Sequence, residues 1–382
     1  MSAMRSIGLY IHIPFCLSKC PYCDFFSLVS YDEQLKERYI NALKQEMEIY
    51  SQKIRDVEII SIYIGGGTPT VLTGGQLSEI LSSCYHNFQI AKGAENTVEA
   101  NPGTIDMEKM EMLFQAGVNR ISLGAQSFNN KALKKMGRIH TKEDNIAAYQ
   151  LARSAGFKNI NVDIMFGLPG QSKKEFENVL TELIVLKPEH ISLYALSVEP
   201  GTPLDNTIKT GKIRLPCDDF CNKLFLSASD YFSEFGYEHY EISNFAQYGK
   251  RCIHNELYWK NRSYLSIGAG VTSYIDNKRY QNYQELNQYI FLLENGILPI
   301  RYQEVLPLKE RMAETIILNL RMMEGLDKKA FHSLFNIPME DIYYQSLQNL
   351  KEQGLLTESK THYFLTKKGI LLANNVFMEF LD

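Results

Sequence analysis

The chain has 382 residues, of which 45% are hydrophobic and 22% charged, and its formal net charge is −4. This composition is typical of a globular protein with one large and one smaller domain, and the acidic balance excludes the basic surface of nucleic-acid and anionic-membrane binders. Because no apolar run approaches the length of a membrane span and no secretory signal is visible, the sequence predicts a protein of the reducing cytoplasm.

Short apolar runs alternate with amphipathic stretches along the first half of the chain. The apolar runs predict strands at 9–13, 59–64, 97–100, 120–123, 160–164 and 190–194. The amphipathic stretches predict helices at 31–53, 74–89, 107–116, 143–155, 173–187 and 218–235. Strands that alternate with helices form parallel sheets, and right-handed crossovers curl such a sheet towards a barrel. Since a closed barrel needs eight units, we expect an α/β fold, a partial (β/α)6 barrel with ligands at the carboxyl ends of its strands.

The second half of the chain divides into two regions. Residues 241–305 are aromatic and polar with little periodicity, and we interpret them as a connecting segment after a barrel domain over 1–240. Residues 306–382 then predict a small winged-helix-like α+β domain. Its expected elements are helices at 309–320, 327–335 and 339–352, two short strands within 354–369, and a final helix at 367–380.

The strongest chemical signal is the stretch FCLSKCPYCDFF directly after the first predicted strand. It contains Cys16, Cys20 and Cys23 in a C-x3-C-x2-C spacing. Thiolates are the natural ligands of iron–sulfur clusters, and three of them on one loop leave a fourth cluster corner open. A structural zinc site is the alternative, but zinc normally takes four protein ligands and no second pair stands at a matching spacing.

The remaining cysteines give weaker signals. Cys217 and Cys221 begin a predicted helix and are interpreted as packing residues, as is Cys84 on an amphipathic helix. Seven cysteines in a reducing compartment argue against a disulfide framework and favour metal binding by a subset.

Polar residues and glycines recur where the predicted strands end. The stretch YIGGGTPT, with Gly66, Gly67 and Thr68, lets backbone approach a ligand closely and offers free N–H groups. Each polar residue alone is equally compatible with a core or surface role, and it is their recurrence at equivalent barrel positions that predicts a shared ligand. These residues are Glu99, Gln126, Arg138 and Asp163.

This combination resembles the radical SAM superfamily, and residues 10–204 resemble its oxygen-independent coproporphyrinogen III oxidase branch. The resemblance implies a [4Fe–4S] cluster on the three cysteines, with S-adenosylmethionine (SAM) chelated to the open iron and cleaved after reduction. It further implies two sets of SAM contacts. The first set is Tyr10, Gly66, Gly67, Thr68, Glu99, Gln126, Arg138 and Asp163, and the second, around the adenine, is Tyr22 and Ala195.

Two classes of this branch differ at recognisable positions. The decarboxylating oxidase resembles C-x3-C-x2-C-x-C, but Phe25 stands here in place of the fourth cysteine. The HemW class of haem chaperones carries H-N-x-x-Y-W, which matches His254, Tyr258 and Trp259. Imidazole is a common axial ligand of haem iron and aromatic faces suit a macrocycle. Cys252 is a rival ligand.

The resemblance therefore implies a haem chaperone that binds haem and passes it to haem-requiring apoproteins. Membrane-associated clients, a homodimer and the question of whether the protein is an enzyme are left open, and no nucleic-acid partner is expected. The alternative is an oxidase that decarboxylates coproporphyrinogen III.

Overall fold

The largest element of the chain is one sheet of twelve strands. The structure, a computed structural model, describes residues 4–381. Six parallel strands lie side by side in chain order at the middle of the sheet, as the alternating pattern predicts. They are β1 (Arg5–Ile13), β2 (Val57–Gly66), β3 (Ile90–Ala100), β4 (Arg120–Gln126), β5 (Ile160–Phe166) and β6 (His190–Ala195). The prediction of an α/β fold built on a partial barrel is thus confirmed.

Helices cover these strands because the apolar residues of both elements are buried against each other. The helices are α1 (Glu33–Lys53), α2 (Gly74–Asn87), α3 (Met107–Gln115), α4 (Asn130–Lys135), α5 (Lys142–Ser154), α6 (Lys173–Leu186), α7 (Pro203–Lys209) and α8 (Asp218–Glu234). Local sequence fixes several of their starts. Thr73 with Gln76 forms a capping box at α2, and Ser172 with Glu175 forms another at α6. Within residues 4–381, no helix has the length and apolar character needed to cross a bilayer.

The segment 241–305 adds strands and helices to the same fold. The strand β7 (Glu238–Glu241) ends at the first residue of this segment, and the segment itself contains β8 (Asn244–Ala246), α9 (Ile253–Trp259), β9 (Tyr264–Ile267), β10 (Thr272–Ile275), β11 (Lys278–Asn282), α10 (Leu286–Glu294) and β12 (Ile300–Val305). The strand β9 pairs in parallel with β1, and β8 pairs antiparallel with β6. The sheet therefore runs from β12 to β7 without closing. The domain boundaries stay a prediction, but this segment is more than a connection.

A second hydrophobic core lies in the C-terminal region, where Phe331, Leu347 and Val376 are fully buried. Its elements are α11 (Leu308–Asn319), β13 (Leu326–Asp327), α12 (Lys328–Phe335), α13 (Met339–Glu352), β14 (Leu356–Glu358), β15 (His362–Leu365), α14 (Lys367–Leu371) and α15 (Ala373–Met378). Three helices followed by the antiparallel pair β14–β15 match the expected winged-helix-like arrangement. The expected final helix is divided into two, because Leu372 leaves the helical conformation between them.

Candidate functional site

A cavity of about 540 Å³ opens where strands β1 to β6 end. Strand ends of a parallel sheet meet at one edge, so residues far apart in the sequence come together there. The cavity is lined by the three cysteines and by every SAM-contacting residue that the sequence predicts. The lining also includes His254 and Tyr258, but not Trp259. The predicted residues on its wall are Tyr10, Cys16, Cys20, Tyr22, Cys23, Gly66, Gly67, Thr68, Glu99, Gln126, Arg138, Asp163, Ala195, His254 and Tyr258.

The cysteine loop follows β1 and is held at its base by backbone bonds. The N–H of Cys16 donates to the carbonyl of Leu28 at 2.9 Å, and the N–H of Leu28 donates to the carbonyl of Pro14 at 2.6 Å. The three thiols are half-buried, and burial raises the pKa values of Cys16 and Cys23. Across residues 4–381, no three His, Cys, Asp or Glu side chains converge around the position of a single ion.

The glycine motif at the end of β2 packs directly beneath this loop. A Cβ on Gly66 would lie 2.3 Å from the His12 ring, and one on Gly67 would lie 3.0 Å from the Cys16 sulfur. The backbone N–H groups of Gly66, Gly67 and Thr68 already donate to Glu99 and to the carbonyls of Ile13 and Phe15. The expectation of free N–H donors is therefore wrong for these positions, and the glycines serve close packing instead.

Glu99 lies at the end of β3, where it lines the cavity and is partly buried. The Tyr63 hydroxyl donates to its Oε1 at 2.8 Å, and the Gly66 N–H donates to its Oε2 at 3.1 Å. Burial raises the pKa of Glu99 to about 7, more than these two bonds lower it. Such a carboxyl gains most from a ligand that brings a positive charge or additional donors.

Asp163 on β5 is the second carboxyl that lines the cavity, and it is partly buried. The side-chain amide of Asn161 donates to its Oδ1 at 2.7 Å, and the Ser122 hydroxyl donates to its Oδ2 at 3.4 Å. Burial raises its pKa as well. The hydrogen bonds of the chain therefore compensate the burial of Glu99 and Asp163 only in part.

Arg138 joins the loop after α4 to two other parts of the site. Its guanidinium donates to the Asn101 Oδ1 at 2.7 Å, to the Gly124 carbonyl at 3.0 Å and to the Cys20 sulfur at 3.4 Å. Asn101 in turn donates to the Thr68 hydroxyl at 2.8 Å. Sequence reasoning missed Asn101, although it stands two residues after Glu99 and directly follows β3.

The backbone is strained at Gln126, the last residue of β4, and hydrogen bonds from other side chains stabilise the residues on either side of it. Gln126 has a φ of 63°, a left-handed conformation that non-glycine residues rarely adopt. His140 and Asn145 both donate to the Ala125 carbonyl, each at 3.2 Å, and Asn145 also holds the Ser127 carbonyl. These bonds fix the Gln126 side chain on the cavity wall.

His254 on α9 lies deep in the cavity beside the middle of β1, where Gly8 leaves room for its ring. Its Nδ1 is 2.8 Å from the Ser61 hydroxyl and its Nε2 is 3.0 Å from the Tyr258 hydroxyl. Only 2% of the residue is exposed, and burial lowers its pKa to about 3. The imidazole is therefore neutral, the form that binds iron.

Trp259 lies on the other side of α9, outside the cavity. Its ring packs with Tyr240 and Met322, and the Arg321 guanidinium lies 4.2 Å from the ring centroid. The expectation that Trp259 offers a face to a ligand beside His254 is thus not met. Cys252 is also outside the cavity, fully buried with its sulfur 3.4 Å from Glu95.

Two buried charged residues that sequence reasoning missed hold α9 in place. Glu95 on β3 accepts hydrogen bonds from the backbone N–H groups of Ile253 and His254, both at 3.2 Å. A carboxylate at a helix N-terminus is favourable because the helix dipole is positive there. Arg120 on β4 lies 4.0 Å from Glu95 and is 1% exposed. The pair fixes the helix that carries His254.

The donor set suits a [4Fe–4S] cluster with SAM. Three thiols on one loop line the cavity, a glycine wall lies against one of them, and buried carboxyls and a guanidinium face the same space. These groups match an iron–sulfur cluster that offers an open corner to an amino acid moiety.

Comparison with known proteins assigns both parts of the chain. Residues 10–183 match the family described as the Radical SAM superfamily, and residues 306–372 match the HemN C-terminal domain. The chain is 37% identical to heme chaperone HemW of Bacillus subtilis, over 97% of this chain and 98% of that one. It is 33% identical to heme chaperone HemW of Escherichia coli over the full length of both.

A solved structure shows the same fold. Coproporphyrinogen III oxidase (HemN) from Escherichia coli, described as a radical SAM enzyme, superposes with a TM-score of 0.85 at 25% identity. The match covers 98% of this chain and 90% of that chain.

Proposed function

Because this chain belongs to the HemW family of heme chaperones, whose fold is that of the radical SAM proteins, we propose that it binds haem and transfers it to haem-requiring apoproteins. The observation that carries the proposal is the single cavity that is lined by the cysteine triad, by the polar strand ends and by His254. The radical SAM fold implies a [4Fe–4S] cluster and SAM in that cavity.

The residues of the cavity have distinct tasks in this proposal. Cys16, Cys20 and Cys23 hold the cluster, which when bound supplies an electron donor beside SAM. Arg138 is suited to the carboxylate of SAM, since a guanidinium binds a carboxylate with two parallel bonds. Glu99 is suited to the ammonium or ribose of SAM, because its carboxyl lines the cavity and the chain compensates its negative charge only in part.

The remaining SAM contacts follow the same proposal. They are Tyr10, Gly66, Gly67, Thr68, Gln126 and Asp163, with Tyr22 and Ala195 beside the adenine. The two glycines keep the backbone close, because a Cβ on either would collide with His12 or the cysteine loop.

His254 is the proposed axial ligand of haem iron. Its imidazole is neutral, and the Tyr258 hydroxyl forms a hydrogen bond with its Nε2 at 3.0 Å. Binding of iron through Nε2 therefore requires the Tyr258 hydroxyl to move away. In this proposal the protein acts in the cytoplasm, and its clients are haem-requiring apoproteins that include membrane-associated ones. Light scattering of the reconstituted protein tests whether it forms a homodimer.

Haem titration and transfer test the proposal directly. Haem is added to anaerobically reconstituted wild type, His254→Ala and the control His332→Ala, whose histidine is exposed on α12. We expect His254→Ala to weaken haem binding by about tenfold or more, since an iron–imidazole bond is lost, and the control to bind as wild type does. Transfer is then followed to apomyoglobin. A wild type that binds no haem or releases none to the acceptor would contradict the proposal.

Anaerobic incubation with coproporphyrinogen III and SAM distinguishes the alternative. We expect no vinyl product, because the chain belongs to the HemW family and Phe25 stands where the oxidase pattern has its fourth cysteine. Formation of the divinyl product would assign the protein to the decarboxylating class instead.

A further inference from the structure

A second cleft of about 370 Å³ lies beside the SAM cavity, and its inner surface is apolar. Tyr22 lines both spaces, so its ring forms part of the wall between them. Met136 and Leu204 are 4% and 7% exposed, and Leu196 completes the apolar surface. The N–H of Leu204 donates to the Pro21 carbonyl at 2.9 Å, which ties α7 to the cysteine loop.

Three cations surround the mouth of this cleft. Lys135 lies at the end of α4, and Lys212 and Arg214 lie on the segment between α7 and α8. All three side chains are exposed, and the ammonium of Lys135 lies next to Gly170. None of the three makes an ion pair with another described residue, and no Asp or Glu of residues 4–381 lines the cleft. A net positive rim on a chain of net charge −4 selects an anion.

The combination defines the chemistry of a ligand. An apolar interior favours a flat hydrophobic body, and the cationic rim favours carboxylates that stay at the surface. We propose that this cleft binds a porphyrin macrocycle through its apolar face, with its two propionates at Lys135, Lys212 and Arg214. The inference rests on the proposed function, which makes haem the macrocycle that this protein encounters.

The cleft differs from the His254 site in what it recognises. His254 lies deep in the SAM cavity and would bind the iron of a haem that occupies that cavity, whereas the cleft would bind a macrocycle through its ring face and its carboxylates. Because the iron lies at the centre of the ring, one haem occupies only one of the two sites at a time. A macrocycle in the cleft leaves the cavity free for the cluster and SAM, because Tyr22 separates the two spaces.

Metal-free protoporphyrin IX isolates the cleft, since it has no iron for His254 to bind. Its fluorescence is followed on titration with wild type and with the triple variant Lys135→Met, Lys212→Met, Arg214→Met. A control triple variant, Arg55→Met, Lys92→Met, Lys174→Met, removes the same charge from exposed positions that do not line the cleft. We expect the cleft variant to bind about tenfold more weakly, as three partly exposed ion pairs of modest strength predict, and the control to bind like wild type.

The dimethyl ester of protoporphyrin IX provides the second measurement. It keeps the apolar ring but lacks the two carboxylates, so wild type should bind it about as weakly as the cleft variant binds the diacid. Added salt should weaken binding of the diacid and leave the ester unaffected, because salt screens exposed charges.

The inference is overturned if the cleft variant binds the diacid like wild type, or if wild type binds ester and diacid equally. Neither result contradicts the proposed function, because haem transfer is measured in a separate experiment. Conversely, a wild type that binds protoporphyrin IX at the cleft but transfers no haem contradicts the proposed function alone.

Discussion

The guanidinium of Arg138 donates a hydrogen bond to the sulfur of Cys20 across 3.4 Å. The same group reaches Asn101 at 2.7 Å, so one cation links the cysteine loop to the end of β3. A guanidinium lowers the cost of a negative sulfur beside it and can hold a carboxylate in the same cavity.

Replacing Arg138 tests this double role. Arg138→Met in the reconstituted protein should weaken SAM binding about tenfold or more, since hydrogen bonds to charged groups contribute about 1.5–3 kcal/mol. Arg138→Lys keeps the positive charge but loses the forked geometry of the guanidinium. Its affinity for SAM should therefore lie between those of wild type and Arg138→Met. Equilibrium dialysis under anaerobic conditions measures the affinity, and equal affinity in all three proteins would refute the assignment.

The cysteine triad is tested by iron and sulfide content. Serine at position 16, 20 or 23 should lower both contents and the broad charge-transfer absorption after anaerobic reconstitution, because an alkoxide is a poor substitute for a thiolate. Cys217→Ser is the matched control, since Cys217 is exposed and lies outside the cavity. Equal iron and sulfide contents in the triad variants and the control would remove the cluster from the proposed site.

The raised pKa of Glu99 predicts a pH dependence of SAM binding. Burial raises this pKa to about 7, so the SAM-free carboxyl is mostly protonated at pH 6 and mostly ionised at pH 8. A ligand that pairs a cation with the ionised form should bind more tightly as pH rises through 7, by up to about tenfold per unit below it. Calorimetric titration at three pH values measures the effect.

Two variants serve as controls for that profile. Glu99→Gln should bind SAM more weakly and lose the pH dependence between 6 and 8. Glu241→Gln removes another buried carboxyl whose pKa burial raises to about 7, but Glu241 is outside the cavity, and its variant should keep the wild-type profile. If SAM affinity changed with pH in Glu99→Gln as it does in wild type, the titrating group would be a residue other than Glu99.

The position of Trp259 predicts a loss of stability without a loss of haem binding. Trp259→Phe and Arg321→Met should each lower the free energy of unfolding by about 1–2 kcal/mol, since a cation–π contact contributes about 0.5–2 kcal/mol. In a double-mutant cycle the two changes should be coupled, because the guanidinium lies 4.2 Å from the ring centroid. Urea denaturation measures stability, and a Trp259→Phe variant with normal stability but weaker haem binding would place this ring at the ligand instead.

The central strands and the cysteine loop were predictable because their signals are local. Buried parallel strands are continuous apolar runs, and the triad spacing is contained in eight residues. The strands β11 and β12 gave no comparable signal, because they lie near the sheet edge and carry mostly polar, partly exposed side chains. Their place in the sheet depends on pairing between distant segments, which no short window contains.

The site was partly predictable for the same reason. Glu99 and Asp163 follow from strand ends, whereas Asn101 and Arg120 acquire their roles only from contacts across several strands. Trp259 was misplaced because its motif was interpreted as one surface. On a helix, residues four apart share a face, but a residue five apart is turned by about 140°, so Tyr258 faces His254 while Trp259 faces away.

The helix α9 has seven residues and is therefore about 10 Å long. One end carries the imidazole enclosed by the barrel, and the other end carries an indole that Arg321 covers. Asn261, just beyond the helix, also donates to Thr315 on α11 at 3.0 Å. Only two turns of helix separate the cavity from these contacts with the C-terminal domain, so we expect a change in the packing of Trp259 or Asn261 to alter the position of His254.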